Sequence, residues 1–288
     1  MNTTIKIIAV LTILFSLTTA ASAGGGWPQK KGKGYFKLSE WWIISNQHYT
    51  NTGQIDPNVT SGIFNTSAYF EYGITDRLTV TGYVPFFSRS YNNNIISLTS
   101  GETLFEGESI NSFGDTDLGL QYGLTQGKIN TSLSLVFGIP FGNSAGGSQG
   151  NLQTGDGEFN QMLRLDAGIG FKLAGQNAYA NTYVAYNNRT QGFADEYRFG
   201  VESGVNLLNN KLLALVRVFG VLSAHNGNTT LDTGTSIFAN NAEHISISPE
   251  LNYNIGQDWG VSASVSTAVY GRLIFASPSY SVGVYTKF

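Results

Sequence analysis

The stretch HISISPELNYNI (244–255) carries residue types that could support nucleophilic catalysis. His244 and Ser246 fall on one face of a predicted strand, and Glu250 follows on the same face. A histidine can accept the proton of a serine nucleophile when a carboxylate orients its ring. The other histidines, His48 and His225, lie in polar segments predicted to be loops. Whether His244, Ser246 and Glu250 form a catalytic site therefore depends on what their face of the strand contacts.

Charged residues within otherwise apolar segments form a second candidate set. Their mixed signs predict paired charges rather than a patch of one sign. The set comprises Asp115, Asp117, Arg164, Asp166, Arg198, Glu202, Arg217, Glu250 and Arg272. The pairs could satisfy one another and fill an interior, or they could form a polar constriction that selects a solute. No residues have metal-ligand spacing and no phosphate-binding loop precedes a helix, so we predict no metal and no other cofactor.

Most of these residues lie on predicted strands, because apolar and polar residues alternate with a period of two. In LRLDAGIGFKL (163–173), the odd positions are apolar, and the even positions are Arg, Asp, Gly or Lys. The same pattern recurs at 116–124, 129–141, 197–207, 213–221, 244–255, 260–270 and 279–288. These lengths match the roughly 9–11 residues that a tilted strand needs to cross a bilayer.

The N-terminus and the composition indicate an exported β protein. Lys6, an apolar run from Ile7 to Leu17 and Ala21-Ser22-Ala23 predict a signal peptide (1–23) that is cleaved after Ala23. Only 12% of the residues are charged, against about 25% in soluble domains. The chain has no cysteine, which excludes disulfides and thiolate metal sites. A net charge of −3 gives no reason to expect a nucleic-acid partner.

Short and long connections alternate along the chain. The predicted tight turns are 74–77, 125–128, 174–177, 208–211 and 255–260, and the longer loops are 50–61, 91–112, 142–157, 188–195, 224–242 and 274–278. Together they would join twelve strands, with ten and fourteen as the neighbouring counts. An even count puts both termini on the short-turn, periplasmic side of an outer-membrane barrel. We therefore predict an all-β, transmembrane, antiparallel up-and-down β-barrel over residues 35–288. A secreted β-sandwich is the competing fold, but its strands are usually about 5–6 residues long.

In such a barrel, the alternation assigns each face of a strand to lipid or to the lumen. In the last strand, Tyr280, Val282 and Val284 face lipid, and Phe288 closes an aromatic girdle. The terminal aromatic resembles the signal that the barrel assembly machinery recognises. A lipid-facing Arg or Lys at the membrane midplane costs about 2–4 kcal/mol, so Arg217 is predicted to point inward. His244 also points into the lumen, away from acyl chains, which argues against a lipid-modifying enzyme.

Two N-terminal stretches fit this pattern less well. GGGWPQKKGKG (24–34) is predicted to be a disordered, solvated periplasmic segment. In YFKLSEWWIIS (35–45), Lys37 and Glu40 fall on opposite faces, so a bulge or a strand end is predicted there. Trp41 and Trp42 would then lie in the aromatic belt.

Two short motifs resemble the outer-membrane transporter family associated with the meta-pathway of phenol degradation. They are FGDTDLGLQYGL (113–124) and FGIPFGNSAGG (137–147), in which Gly114, Asp115, Leu118, Gly119, Pro140 and Gly142 match the pattern of the family. The resemblance implies passage of small molecules, apolar or aromatic ones among them, across the outer membrane. It implies no catalytic residues.

We therefore expect a passive outer-membrane channel or transporter in a Gram-negative-type bacterium. Its expected partners are outer-membrane lipids, the barrel assembly machinery and a small-molecule solute of unknown identity. The alternatives are a structural or adhesive surface barrel with a filled lumen and a lipid-modifying enzyme.

Overall fold

The computed structural model describes residues 25–97, 99–228 and 236–288 and contains fifteen β-strands. The predicted signal peptide lies outside the described residues. The strands are β1 (Gly34–Tyr49), β2 (Ile55–Gly73), β3 (Leu78–Asn92), β4 (Ile95–Ile96), β5 (Thr103–Phe105), β6 (Glu108–Ser112), β7 (Thr116–Thr125), β8 (Asn130–Ile139), β9 (Asn160–Leu173), β10 (Gln176–Asn188), β11 (Glu196–Leu207), β12 (Leu212–Ser223), β13 (Glu243–Asn254), β14 (Trp259–Arg272) and β15 (Ser279–Lys287). No helix among the described residues is long and apolar enough to span a membrane.

The strands close into an antiparallel barrel of twelve wall positions, which confirms the predicted fold class. From β7 to β15, each strand pairs with the next one in the chain. The last strand, β15, pairs with β1, and the pairs β1–β2, β2–β3 and β3–β7 complete the ring. One wall position is shared, because β7 pairs with the first part of β3 and β6 pairs with its last part. β4 and β5 form a separate two-stranded hairpin.

The predicted turns lie where short turns are observed, but two predicted loops are partly strand. The first is 50–61, because β2 already begins at Ile55. The turn 208–211 connects β11 to β12, and Leu208, Asn209 and Asn210 there have φ values of 51°, 56° and 65°. Asparagine tolerates such left-handed backbone, which explains its use at this turn. The segment predicted as the loop 91–112 contains β4, β5 and β6 instead. Its residues from Glu108 to Ser112 form β6, which extends the barrel wall beyond the first residue of β7.

The barrel is apolar outside and polar inside. The exposed side chains include large apolar residues from nearly every strand, such as Leu120, Leu165, Val201, Val216 and Val284. Many of the buried side chains are Ser, Asn, Glu and Asp. This distribution inverts that of a soluble protein, as lipid contact requires. A small apolar cluster of Ile43, Ile63 and Phe275, with Trp41 and Phe238 against it, is the hydrophobic core within the described residues.

β1 is regular where a bulge was predicted. Positions 35 to 45 pair without interruption with β2, and the register shift comes later, between Ser45 and Gln47. Lys37 lines the lumen and Glu40 faces outward, so the strand alternates strictly. Trp42 stacks on the lipid-facing Tyr280, whereas Trp41 lines an interior cavity instead of joining the aromatic belt.

Candidate functional site: the lumen

A charged belt lies on the wall where two interior cavities meet, and it is centred on Arg217. The guanidinium of Arg217 donates to Glu202 on β11 and to Glu250 on β13, the latter at 2.5 Å. Lys37 approaches Glu250 from β1, with Nζ 3.6 Å from the carboxylate. Glu202 also accepts a hydrogen bond from the Tyr179 hydroxyl at 2.5 Å. Two carboxylates and two cations therefore neutralise one another in this belt.

A second ion pair belongs to the same level of the lumen. Arg164 donates two hydrogen bonds to Asp166, at 2.9 and 2.7 Å. These residues are two positions apart on β9, so alternation brings their side chains together on the inner face. The guanidinium also lies over the Tyr183 ring, 3.8 Å from its centroid. This contact holds Arg164 against the wall.

Two interior cavities meet at this belt. One has a volume of about 790 Å³ and the other about 690 Å³, and Arg164, Asn181, Glu202 and Arg217 line both. The larger cavity lies on the short-turn side, and its remaining wall is mostly amide and tyrosine side chains: Gln29, Asn177, Asn206, Asn252, Asn254, Tyr35, Tyr69, Tyr83, Tyr179 and Tyr285. The smaller cavity has an apolar part, formed by Trp41, Ile43, Phe219, Ile274 and Phe275, and several serines line the same cavity. The belt therefore separates a polar chamber from an amphipathic one.

The segment before β1 folds into the lumen, so its predicted description as a disordered leader is wrong. The backbone N–H of Gly26 donates to Asn181 at 3.0 Å, and Gly25 O accepts hydrogen bonds from Gln121 and Ser132. The Trp27 ring packs edge-on against Tyr179. A Cβ at Gly168 would lie 2.4 Å from the Trp27 ring, so glycine is required there for close approach.

Further contacts fix the end of this segment against β2 and β3. The side chain of Gln29 donates to Glu71 at 2.7 Å, and its backbone N–H donates to Thr79 at 2.8 Å. Residues 25 to 29 thus form an internal strap (the N-terminal strap) that narrows the short-turn end of the lumen.

A buried ion cluster lies toward the opposite end of the barrel, where the longer loops are. Arg189, which is 4% exposed, donates to Asp156 at 3.0 Å, to Glu158 at 2.9 Å and to Glu196 at 3.0 Å. Arg198 binds the other oxygen of Glu196 at 2.6 Å. The three carboxylates come from two chain segments, the loop 140–159 and the start of β11. Because Arg189 itself follows β10, its guanidinium links that loop to both strands that flank the loop after β10.

Asp115 links the two motifs on which the family resemblance was based. Its carboxylate accepts hydrogen bonds from the backbone N–H groups of Gly142 at 2.9 Å and Asp156 at 2.8 Å. We predicted paired charges for the set that contains Asp115, whereas backbone amides bind this carboxylate. Burial, and secondarily the nearby Asp156 carboxylate, raise the pKa of Asp115 to about 7. The two motifs therefore meet at one loop junction.

The predicted charge set divides into a belt and more distant members. Arg164, Asp166, Glu202, Arg217 and Glu250 form the belt. Arg198 lies further along the lumen beside Glu196, and Asp115 lies at the loop junction. Arg272 contacts Asn51 O and Glu243 near the loops, away from the belt. The inward position of Asp117, predicted from alternation, stays a prediction. The role of the whole set as a network of paired charges in the lumen also stays a prediction.

The three residues considered for catalysis do not share one network. Glu250 is engaged by Arg217 and Lys37. The His244 ring packs edge-on against Phe219. His244 and Ser246 both line the smaller cavity, on the lumen side as predicted.

Sequence reasoning missed Arg189, Glu196, Lys37 and the N-terminal strap. Arg189 lies in a predicted loop, where a cation is usually solvated, and only the fold shows that the loop is buried. Glu196 could have been found, because it precedes Arg198 on the same face of β11. The strap carries only one signal, Trp27 among glycines, which indicates close packing.

Truncation of Arg217 to alanine should destabilise the barrel and change its ion preference. The substitution removes the cation beside Glu202 and leaves Lys37 as the cation beside Glu250, so the belt gains net negative charge. We expect a loss of about 3–5 kcal/mol if both carboxylates stay desolvated, and less if water enters the belt. Urea unfolding in detergent and the reversal potential in a salt gradient measure the two effects. An unchanged stability together with an unchanged reversal potential would show that Arg217 does not lie in the conducting lumen.

Comparisons with known proteins support the barrel. No known family model and no curated protein sequence matches the chain. Among solved structures, the COG4313 outer membrane channel from Pseudomonas putida F1 is similar, with a TM-score of 0.54, 13% identity, and coverage of 93% of this chain and 100% of the other.

Two further solved structures are less similar to this chain. The translocator domain of the autotransporter NalP from Neisseria meningitidis has a TM-score of 0.49 and 12% identity, over 99% of this chain and 94% of the other. The KdgM porin has a TM-score of 0.45 and 8% identity, over 88% and 99%. With its apolar exterior and polar lumen, the chain is a closed twelve-stranded β-barrel of the outer membrane of a Gram-negative-type bacterium.

Proposed function

We propose that the protein is a passive channel for small molecules. The observation that carries this proposal is the pair of cavities, about 790 and 690 Å³, that meet at the belt around Arg217. The belt residues pair mostly with neighbours along the wall, as Arg164 does with Asp166 and Arg217 with Glu202. Pairing along the wall leaves space on both sides of the belt.

The solute class that we propose includes apolar or aromatic molecules with polar groups. The sequence resemblance implies such cargo, and the smaller cavity has a suitable wall: Trp41, Phe219 and Phe275 face the same space as Ser246 and Ser264. Rings could pack on the aromatic side, and hydroxyl groups could bond to the serines. The membership of the phenol meta-pathway family stays a prediction.

Two other functions compete with transport. A structural or adhesive surface barrel is favoured by the Arg189 cluster and the N-terminal strap, which narrow the two ends of the lumen. A lipid-modifying enzyme has less support, because Glu250 is paired with cations and His244 packs against Phe219. We also propose that Phe288 helps the assembly machinery recognise the chain, since it is exposed and stacks on Tyr72 at the short-turn end.

Reconstitution tests transport directly. The purified barrel is inserted in planar bilayers for conductance, and in liposomes for uptake of neutral aromatic solutes and hydrophilic solutes of matched size. We expect ion conductance and faster uptake of the aromatic solutes. A folded barrel that passes neither ions nor solutes would contradict the proposal and favour the structural alternative. Fatty acid release that disappears in Ser246→Ala would instead support the enzyme.

A further inference from the structure

Three arginine side chains line the smaller cavity together. They are Arg164 on β9, Arg198 on β11 and Arg217 on β12, and we call them the arginine triad. Arg164 and Arg198 lie in one cross-strand row, because Ala185 on β10 pairs with both. Neighbouring strands are about 4.8 Å apart, so these two arginines start roughly 10 Å from each other, with an alanine methyl group between them. The row therefore leaves room for both guanidinium groups to reach the same cavity.

The arginine triad is more exposed to the lumen than the carboxylates that neutralise it. The three arginine side chains are 30%, 33% and 37% exposed. Their carboxylate partners are between 1% and 17% exposed, and these partners are Asp166, Glu196, Glu202 and Glu250. Each ion pair therefore turns its positive end toward the open space of the lumen, where a solute meets it first.

Each guanidinium of the triad also keeps hydrogen-bond donors for a ligand. A guanidinium carries five N–H groups. Among the described residues, each arginine of the triad donates two hydrogen bonds, all of them to carboxylate oxygens. The remaining N–H groups have the planar arrangement that binds the two oxygens of a carboxylate. The triad therefore offers an anion both positive charge and matching donors.

The three guanidinium groups lie at successive levels of the lumen. Measured along β11, Arg198 binds the side chain at position 196, Arg164 lies over the tyrosine that pairs with position 200, and Arg217 binds the side chain at position 202. Arginines that line a pore favour anions, and several weak sites in series let an ion enter and also leave. The spacing therefore suits passage of an anion as well as its binding.

The smaller cavity supplies an apolar surface for the rest of the ligand. Trp41, Phe219 and Phe275 line it together with the arginine triad. Its volume of about 690 Å³ lies within the roughly 300–1,000 Å³ of ordinary ligand pockets. A neutral aromatic molecule would use only the apolar side chains, and an inorganic anion would use only the guanidinium groups. An aromatic carboxylate uses both.

We propose that the arginine triad is an anion-binding site and that its ligands are aromatic carboxylates. The carboxylate binds the exposed guanidinium groups, and the ring packs on the aromatic side chains of the same cavity. This inference deepens the channel function proposed above and rests on it for passage of the ligand. Binding requires only the cavity.

Three ligands of the same shape test the site without transport. Benzoate, benzamide and benzamidinium carry a negative, a neutral and a positive group on the same ring. Their binding to the detergent-solubilised barrel is measured by titration calorimetry at neutral pH and low salt. We expect benzoate to bind about tenfold more tightly than benzamide, because its hydrogen bonds are charge-assisted. Benzamidinium should not bind, and acetate, which has no ring, should bind more weakly than benzoate.

A charge-neutral double substitution separates the exposed guanidinium from net charge. Arg164→Gln combined with Asp166→Asn removes one cation and one anion, so it leaves neither a changed net charge nor an unpaired buried carboxylate. Benzoate affinity should still fall by about tenfold, because the lost guanidinium is exposed and the lost carboxylate is buried. Arg198→Gln is a second variant, since Glu196 keeps Arg189, and it should weaken benzoate binding to a similar extent.

Arg89→Gln is the control for the loss of a cation. Arg89 bonds to Asn111 and Ser109 and does not line the smaller cavity, so benzoate binding should match that of the native barrel. Resistance to heat in dodecyl sulfate confirms that each variant is folded. Equal binding of the three ligands by the native barrel would overturn the proposal. Native benzoate affinity in the folded double variant and in folded Arg198→Gln would overturn it as well.

Reversal potentials separate this inference from the channel function. In planar bilayers with a gradient of potassium benzoate, we expect a native barrel that prefers the anion and a double variant that prefers it less. A barrel that binds benzoate and passes no current would contradict the channel and support the site. A conducting barrel that prefers potassium to benzoate would support the channel and overturn the site.

Discussion

Arg189→Ala should be among the most destabilising single substitutions in this barrel. It removes hydrogen bonds to three acidic side chains, and Glu158, one of them, is fully buried. A buried carboxylate that loses its cation costs about 3–5 kcal/mol, and only Glu196 keeps another arginine, Arg198. We expect the free energy of unfolding to fall by an amount in the upper part of that range. The measurement is urea unfolding of the detergent-solubilised barrel, followed by tryptophan fluorescence.

Arg89→Ala provides the matched control for that substitution. Arg89 is exposed and bonds only to the neutral side chains of Asn111 and Ser109, so its loss should cost at most about 1 kcal/mol. Arg189→Lys should fall between the two, because an ammonium cannot match the planar fork of a guanidinium. Equal stabilities of the two alanine variants would contradict the description of Arg189 as the link between the loops.

Deletion of residues 25–29 should raise single-channel conductance severalfold. These residues form the N-terminal strap, which lies inside the short-turn end of the lumen through contacts with Asn181, Ser132, Glu71 and Thr79. Removing them widens the larger cavity toward the short-turn end without breaking a strand of the wall. Conductance in planar bilayers and uptake by liposomes measure the change.

Two single substitutions distinguish the effect of the strap contacts on conductance from the effect of shortening the chain or removing a charge. Trp27→Ala should raise conductance by a smaller factor, because the ring packs on Tyr179 and fills the space over Gly168. Lys31→Gln, at an exposed position, should leave the conductance unchanged. An unaltered conductance in the folded deletion variant would show that the strap does not limit the path.

The predictions that depended on local pattern were accurate. The turns 74–77 and 208–211 lie exactly between observed strands, because turn residues and the end of alternation are both local features. The inward direction of Arg217 follows from alternation alone, and its neighbours Val216 and Val218 are exposed as expected. Glu40 is the exception: its position was assigned to a bulge or a strand end, whereas β1 pairs without interruption there and keeps the strict period of two.

The predictions that failed or were missing concern contacts between distant segments. Asp115 bonds to amides 27 and 41 residues away rather than to an arginine, and the N-terminal strap reaches Asn181 across 155 residues. A period of two tells which face a side chain occupies but not what stands opposite, since that depends on barrel closure and strand register. The sequence by itself determined the barrel, most of its strands and the inward direction of Arg217. The tertiary structure decided which charges meet, because closure brings together side chains that no local pattern relates.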